Sequence, residues 1–276
     1  MRIALLQMTS GIDPAANAAT LSAAAREARA GGARMLFTPE MTGLLDRDRE
    51  RSRGRLRDAA HDPVLRAARA AAAEQGLWIH IGSLALSGER ADGRLVNRGF
   101  VIDDRGMVRA SYDKMHLFDV DLPTGESWRE SAAYAPGDGT TLIDTPAGVL
   151  GLAICYDLRF PALFQALSAA GAEILALPAA FTVPTGRAHW HTLLRARAIE
   201  TGCFVVAAAQ TGIHEDGRET YGHSLVIDPW GEVLLDMGDA PGIGFAEIDL
   251  ARIADVRARI PVLAHRREIP APERAK

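Results

Sequence analysis

The sequence predicts an α/β fold of stacked sheet and helix layers. Short apolar runs outnumber the helical stretches, and they come both as hairpins and as strand–helix pairs. No linker, composition shift or repeat interrupts the 276 residues. Residues 1–276 therefore read as a single domain, long enough to bury a sizeable core.

The elements follow in chain order. Residues 2–8 are the first strand. Asp13-Pro14 opens an Ala-rich helix over 15–30, stopped by Gly31-Gly32. A second strand over 33–38 ends in Pro39-Glu40. Residues 41–61 are polar and irregular, which predicts a surface loop. A helix over 63–75 stops at Gly76, and a strand covers 77–84. Residues 95–102 and 107–112 form a hairpin around Asp103-Asp104-Arg105-Gly106, and its second arm ends at Asp113-Lys114. Residues 115–139 carry Pro, Gly and Trp but no clean period. A loop of that length in a compact domain is usually functional. Residues 140–144 and 149–154 form another hairpin around 145–148. Pro161 suits the first turn of a helix over 161–170, where its missing N–H costs nothing. A strand at 173–177, a helix at 187–201 and strands at 203–209, 224–227, 233–236 and 244–248 come next. A last helix over 251–259 precedes a C-terminal arm, 260–276, with three prolines.

The bulk numbers exclude several classes. A net charge of −4 gives no sign of nucleic acid or an anionic membrane as partner. Arginines between 47 and 57 are interleaved with Asp and Glu, as on a solvated face. The two cysteines, Cys155 and Cys203, make no C-x-x-C and no disulfide framework, so both are expected as reduced thiols. The first residues are too short for a signal h-region, and no apolar run approaches a membrane span. A soluble cytoplasmic protein is the expectation. H-E-x-x-H, paired Cys spacing and Gly-rich phosphate loops are missing from the sequence. His189 and His191, at i and i+2, point to different helix faces. No metal and no cofactor are expected.

Three ionisable residues occupy the same kind of place. Glu40 follows the strand 33–38, Lys114 follows 107–112, and Cys155 follows 149–154 at the bend from strand to helix. Pockets in open layered sheets commonly lie beyond the carboxyl ends of strands. If these strands are neighbours, a carboxylate base, an ammonium and a thiol converge there. The carboxylate takes the thiol proton, the thiolate attacks a carbonyl carbon, and the ammonium favours thiolate and oxyanion. Taken singly, Glu40 and Lys114 read equally well as surface charges and Cys155 as a core cysteine.

Phe37-Thr38-Pro39-Glu40, Tyr112-Asp113-Lys114-Met115-His116-Leu117-Phe118 and Cys155-Tyr156-Asp157-Leu158-Arg159-Phe160-Pro161 resemble the three signatures of the nitrilase superfamily of carbon–nitrogen hydrolases, in the family's order. The resemblance runs from Arg2 to about Arg267. It implies an α-β-β-α sandwich whose subunits pair through their helices into four layers, hence a homodimer or higher homo-oligomer. It implies Glu40 as base, Lys114 as oxyanion stabiliser and Cys155 as nucleophile, with the Tyr156 N–H as second oxyanion donor. It also implies that Glu130, in Trp128-Arg129-Glu130-Ser131, holds Lys114 and the substrate or water. Without it Glu130 reads as a solvated carboxylate, and Glu126 is as good a candidate. Residues 116–120, 188–190, 194–201 and 221–224 resemble the Nit branch of amidases, which cut the terminal amide of a 2-oxo-dicarboxylic acid monoamide. Residues 194–201 followed by 205–210 are more similar to the branch that takes deaminated glutathione than to ω-amidase, which takes 2-oxoglutaramate. An N-carbamoyl amidase or nitrilase activity is the further alternative within the superfamily.

Other positions carry weaker signals. Ala179-Ala180-Phe181-Thr182 follows the strand 173–177, so Phe181 and Thr182 are candidate substrate contacts; ordinary packing is the equal alternative. Arg187, Arg195 and Arg197 could bind a substrate carboxylate bidentately, face water or hold a subunit contact. Asp157 and Arg159 are expected to pair and fix the elbow. Cys203 is expected in the core. Two rival readings stand: a binding or scaffold protein that keeps the fold without turnover, and a Cys–His hydrolase with His116 or His223 as base.

Overall fold

The computed structural model describes residues 1–121, 125 and 127–274. Two six-stranded sheets form its centre. The first runs in the order Gly242–Glu247, Arg2–Gln7, Met35–Phe37, Trp78–Leu86, Val96–Ile102, Val108–Asp113. Its central pairs, Arg2–Gln7 with Met35–Phe37 and Met35–Phe37 with Trp78–Leu86, are parallel, and the outer pairs antiparallel. The second runs Val233–Asp236, Leu225–Ile227, Phe204–Ala207, Ile174–Ala176, Gly148–Leu152, Leu142–Thr145, again with parallel central pairs.

Alternation along the strands sets the layers. Ile3, Leu5, Met35, Phe37 and Val101 point one way and join Leu150, Leu152 and Ile174 of the second sheet in one apolar cluster. Ala4, Leu6, Leu36, Ile79 and Ile81 point the other way, onto the helices Pro14–Ala30 and Pro63–Gln75. Asp13 and Asp62 cap those two helices and a proline opens each. Their facing surfaces are mostly alanine, which lets them pack closely. The helices Pro161–Ala169 and Val183–Thr201 cover the far side of the second sheet through Phe164, Leu167, Trp190 and Leu194. The layers are α-β-β-α.

Three expectations are corrected, and one unforeseen element is added. Residues 41–61 contain a helix, Arg49–Arg53, and Thr42, Leu44 and Leu45 are buried; the apolar residues among the charges pack against Ala85 and Leu56. Residues 115–139 hold a small hairpin, Asp119–Asp121 with Ser127–Arg129, and a turn of 3₁₀ helix, Glu130–Ala132. The helix expected from 187 begins at Val183, because Pro184 fits its first turn. A hairpin, Thr211–Ile213 with Glu219–Tyr221, has too few apolar residues to stand out in sequence. Among the described residues no helix is long and apolar enough to cross a membrane.

Candidate active site

Glu40, Lys114 and Cys155 come together where the two sheets face each other. Lys114 directly follows Val108–Asp113. Glu40 and Cys155 each lie three residues beyond a strand end, at Phe37 and Leu152. Two of these crossings are left-handed: Met41 has φ 55° and Cys155 φ 49°. A non-glycine residue there costs about 1–3 kcal/mol and persists only where its surroundings fix it. The Cys155 N–H donates to Pro178 O at 2.9 Å, and the Ile154 N–H to Asp157 Oδ2 at 2.8 Å. Gly82 makes room beneath Glu40. A Cβ there would lie 2.3 Å from Thr38 O and 2.4 Å from Pro39 O and Pro178 Cβ.

The three groups are buried, with Lys114 2%, Glu40 4% and Cys155 7% exposed. Lys114 Nζ donates to Glu40 Oε1 at 2.8 Å and to Glu130 Oε2 at 2.9 Å. Asn97 Nδ2 bridges the same two carboxylates, at 3.0 Å to Glu40 and 3.2 Å to Glu130. The Ala180 N–H donates to Glu40 Oε2 at 2.9 Å, and the Phe118 N–H to Glu130 Oε2 at 2.7 Å. The Cys155 thiol lies beside the Glu40 carboxylate and the Ala180 N–H. Glu130 is thus a partner of Lys114, whereas Glu126 lies outside the described residues.

These contacts set the charges. Burial alone would raise the Glu40 carboxyl; the Lys114 ammonium and the hydrogen bonds from Lys114, Cys155 and Asn97 outweigh it and hold the group below its ordinary 4.5. Burial would likewise lower Lys114, but the Glu130 and Glu40 carboxylates lift it well above 10.5. Burial first and the Glu40 charge second push the Cys155 thiol well above 9.0, against the pull of Lys114. At neutral pH the carboxylate is ionised, the lysine charged and the thiol neutral. Lys114 favours the thiolate, but one ammonium does not offset burial plus an adjacent carboxylate.

The elbow after Cys155 is held differently from the expected Asp157–Arg159 pair. Fully buried Asp157 accepts from Tyr112 Oη at 2.8 Å, the His116 N–H at 3.0 Å, His116 Nδ1 at 2.7 Å and the Ile154 N–H. Arg159 instead lies 3.3 Å from His189 Nδ1 and faces the Phe181 ring. His116 also stacks on Phe160, and His223 bonds Asp236 at 2.8 Å, so both imidazoles have partners other than Cys155. A Cys–His pair is not formed.

A cavity of about 410 Å³ opens over these groups, in the range of small-molecule sites. Tyr156, Phe181 and Thr182 line it with Cys155, as do Arg47, Trp128 and Arg218. The arginines expected at a substrate carboxylate are elsewhere. Arg187 is exposed outside the lining, Arg195 donates to Gly231 O, and buried Arg197 donates to Leu158 O and Glu200. Away from the cavity, His191, His223 and Asp236 bring ligand-type atoms within 4.8 Å of one another, but both histidines already bond the aspartate. Asn97, the Ala180 N–H and Arg218 escape the sequence reading. Asn97 sits inside a strand, and nothing in the sequence distinguishes the others from their neighbours.

Residues 2–258 match the carbon-nitrogen hydrolase family. A relative named deaminated glutathione amidase, from Bos taurus, is 44% identical over 268 residues, covering 96% of this chain and 81% of its own. The crystal structure of the C. elegans NitFhit protein superposes with a TM-score of 0.89 at 38% identity, over 96% of this chain and 65% of that one. An amidase from Nesterenkonia sp. AN1 superposes with a TM-score of 0.77 at 28% identity, over 95% and 98%. That structure is a variant showing Michael addition of acrylamide at its active site cysteine.

Proposed function

This chain belongs to the carbon–nitrogen hydrolase family, and from that premise we propose that it is a cysteine-dependent amidase built on Cys155, Glu40 and Lys114. It hydrolyses carbon–nitrogen bonds, as the family does. The observation that carries the residue assignment is the buried Lys114 ammonium, clamped by Glu40 and Glu130, with a neutral thiol on ionised Glu40.

Cys155 Sγ attacks the amide carbon while Glu40 takes the thiol proton, so thiolate forms only as the S–C bond does. The carbonyl oxygen becomes an oxyanion facing the Lys114 ammonium and the Tyr156 N–H, which among the described residues donates to no backbone acceptor. Collapse breaks the C–N bond, and Glu40 gives its proton to the departing amine. Water, deprotonated by Glu40, then attacks the thioester, and the acid leaves as the thiol is restored. Glu130 and Asn97 keep Lys114 and Glu40 in register, and Phe181 and Thr182 bound the acyl group. The acrylamide-reactive cysteine of the Nesterenkonia amidase supports Cys155 as nucleophile.

The substrate is a 2-oxo-dicarboxylic acid monoamide, deaminated glutathione, cut to 2-oxoglutarate and cysteinylglycine. The name of the bovine relative supports this. The test is kcat/KM for deaminated glutathione against 2-oxoglutaramate. A preference of about tenfold, roughly 1.4 kcal/mol, sustains the reading. A preference for 2-oxoglutaramate moves the protein to ω-amidase. Activity only on an N-carbamoyl compound or a nitrile overturns the substrate class. A thioester on Cys155, seen by mass spectrometry after substrate addition, separates the enzyme from a silent scaffold. The chain acts as a homodimer; exposed Ile199, Trp230 and Leu234 support a helix-side contact, and sedimentation tests it. Two free thiols suit a reducing, cytoplasmic setting, tested by fractionation.

A further inference from the structure

The cavity wall carries unmet donors that the reaction steps do not use. The Arg218 guanidinium lies 4.6 Å from the Trp128 ring centroid and the Arg47 guanidinium 5.5 Å. Both arginines line the cavity. One carboxylate serves both: Asp216, its side chain fully buried, lies 3.6 Å from Arg218 and 3.8 Å from Arg47. Its oxygens are committed to backbone donors, the Arg47 N–H at 2.8 Å and the Arg218 N–H at 2.9 Å. Among the described residues, buried Arg218 Nε and buried Trp128 Nε1 donate to nothing.

Neighbouring side chains do not meet these donors. Asp46 is taken bidentately by Arg51, Arg129 by Asp121, and Arg49 donates to Arg129 O. Lys114 bonds both Glu40 and Glu130, whose one excess negative charge lies in the same cavity without a hydrogen bond to either arginine. Arg218 Nε therefore stays an unmet cationic donor on the cavity wall. A buried cation short of hydrogen bonds is costly, and a bidentate carboxylate is the group that meets a guanidinium best.

We propose that Arg218 and Arg47, stacked on Trp128, form a subsite for a carboxylate at the far end of the leaving amine. This rests on the amidase reading. Arg218, Arg47 and Trp128 line the same cavity as Glu40, the group that returns the proton to that amine, and Phe181 and Thr182 in the same lining are left for the acyl end. The ligand chemistry is a peptide-like amine ending in a carboxylate, not ammonia.

The experiment compares wild type, Arg218→Met and Arg47→Met on deaminated glutathione, its C-terminal carboxamide and 2-oxoglutaramate. Wild type should favour the carboxylate over the carboxamide by about ten- to a hundredfold in kcat/KM, the scale of a charge-assisted hydrogen bond. Arg218→Met should bring that ratio near one, Arg47→Met should lower it less, and Arg218→Lys should restore part of it. A wild type indifferent to the carboxamide overturns the subsite. So do equal losses by Arg218→Met on all three substrates, which mark an acyl-end or structural role. Arg47→Met, half exposed in wild type, keeps the test open if Arg218→Met does not fold. A wild type that cleaves neither peptide substrate refutes the proposed substrate instead, and the subsite with it.

Discussion

Cys155 and Cys203 are both buried free thiols, and burial raises both above the ordinary 9.0. Each also has a cation nearby, Lys114 for one and Arg257 for the other. Neither acidity nor a neighbouring charge separates them. What differs is the acceptor. Cys203 Sγ faces Ala172 O at 3.2 Å and Thr201 O at 3.5 Å, carbonyls that do not take a proton. Cys155 faces an ionised carboxylate, and its left-handed backbone tips it into a cavity. On the proposed mechanism, Cys155 is the nucleophile because of the base beside it and the elbow beneath it.

The largest expected effect breaks the comparison at its centre. Cys155→Ala should lower kcat by at least about 10³-fold, since removing one member of a concerted set removes most of what the set does. Circular dichroism should be unchanged. Lys114→Ala comes next, with a loss of roughly 10²–10³ in kcat, the scale of one oxyanion donor. It should also lower the melting temperature, because Glu40 and Glu130 are left as buried carboxylates without their cation. A near wild-type rate for Lys114→Ala would exclude it from the oxyanion site.

The pH dependence sharpens the contrast further. Glu40 is depressed below 4.5 and Cys155 raised above 9.0, so the reactive ionisation state spans the interval between. The profile of kcat/KM should be flat across neutral pH, falling on the acid side below 4.5 as Glu40 protonates. A thiolate that first had to lose its proton to solvent would instead give a rate rising about tenfold per pH unit toward alkali. The stability sign agrees for Glu40: its depressed pKa stabilises the fold above the unfolded value, and that contribution is lost as pH falls through the folded one. Acid melts should show it.

The sequence carried the layers because alternation and helix period are local signals, and it brought out Glu40, Lys114 and Cys155 because each closely follows a strand inside a stretch that resembles a family signature. Asn97 was hidden because it lies within a strand, where its spacing matches that of any inward-facing residue; its meeting with Glu40 joins positions 57 apart. Arg47 and Arg218 were hidden for a related reason. Loop arginines look alike until folding assigns a carboxylate to each, and here two share Asp216. Asp157 was mispaired because its neighbour in sequence, Arg159, is not its neighbour in space, whereas Tyr112 and His116 are.

The smallest effect tests the other side of the comparison. Cys203→Ala removes one sulfur from a fully buried site between the helix Val183–Thr201 and the strand Phe204–Ala207. The sulfur accepts from Arg257 Nη2 at 3.2 Å. Arg257 does not depend on it, since the same guanidinium donates to Ala172 O at 3.0 Å and Gly202 O at 3.1 Å. The cost is therefore a small void and one weak contact, about 1 kcal/mol. Urea denaturation should show a lower midpoint with an unchanged slope, the mark of a stability change alone. Turnover should stay within about twofold of wild type, because none of the hydrogen-bond partners of Cys203 given above, Ala172, Thr201 and Arg257, lines the cavity. If Cys203→Ala instead loses turnover to the extent of Cys155→Ala while remaining folded, the distinction between the two thiols fails, and the base beside Cys155 does not explain which sulfur reacts.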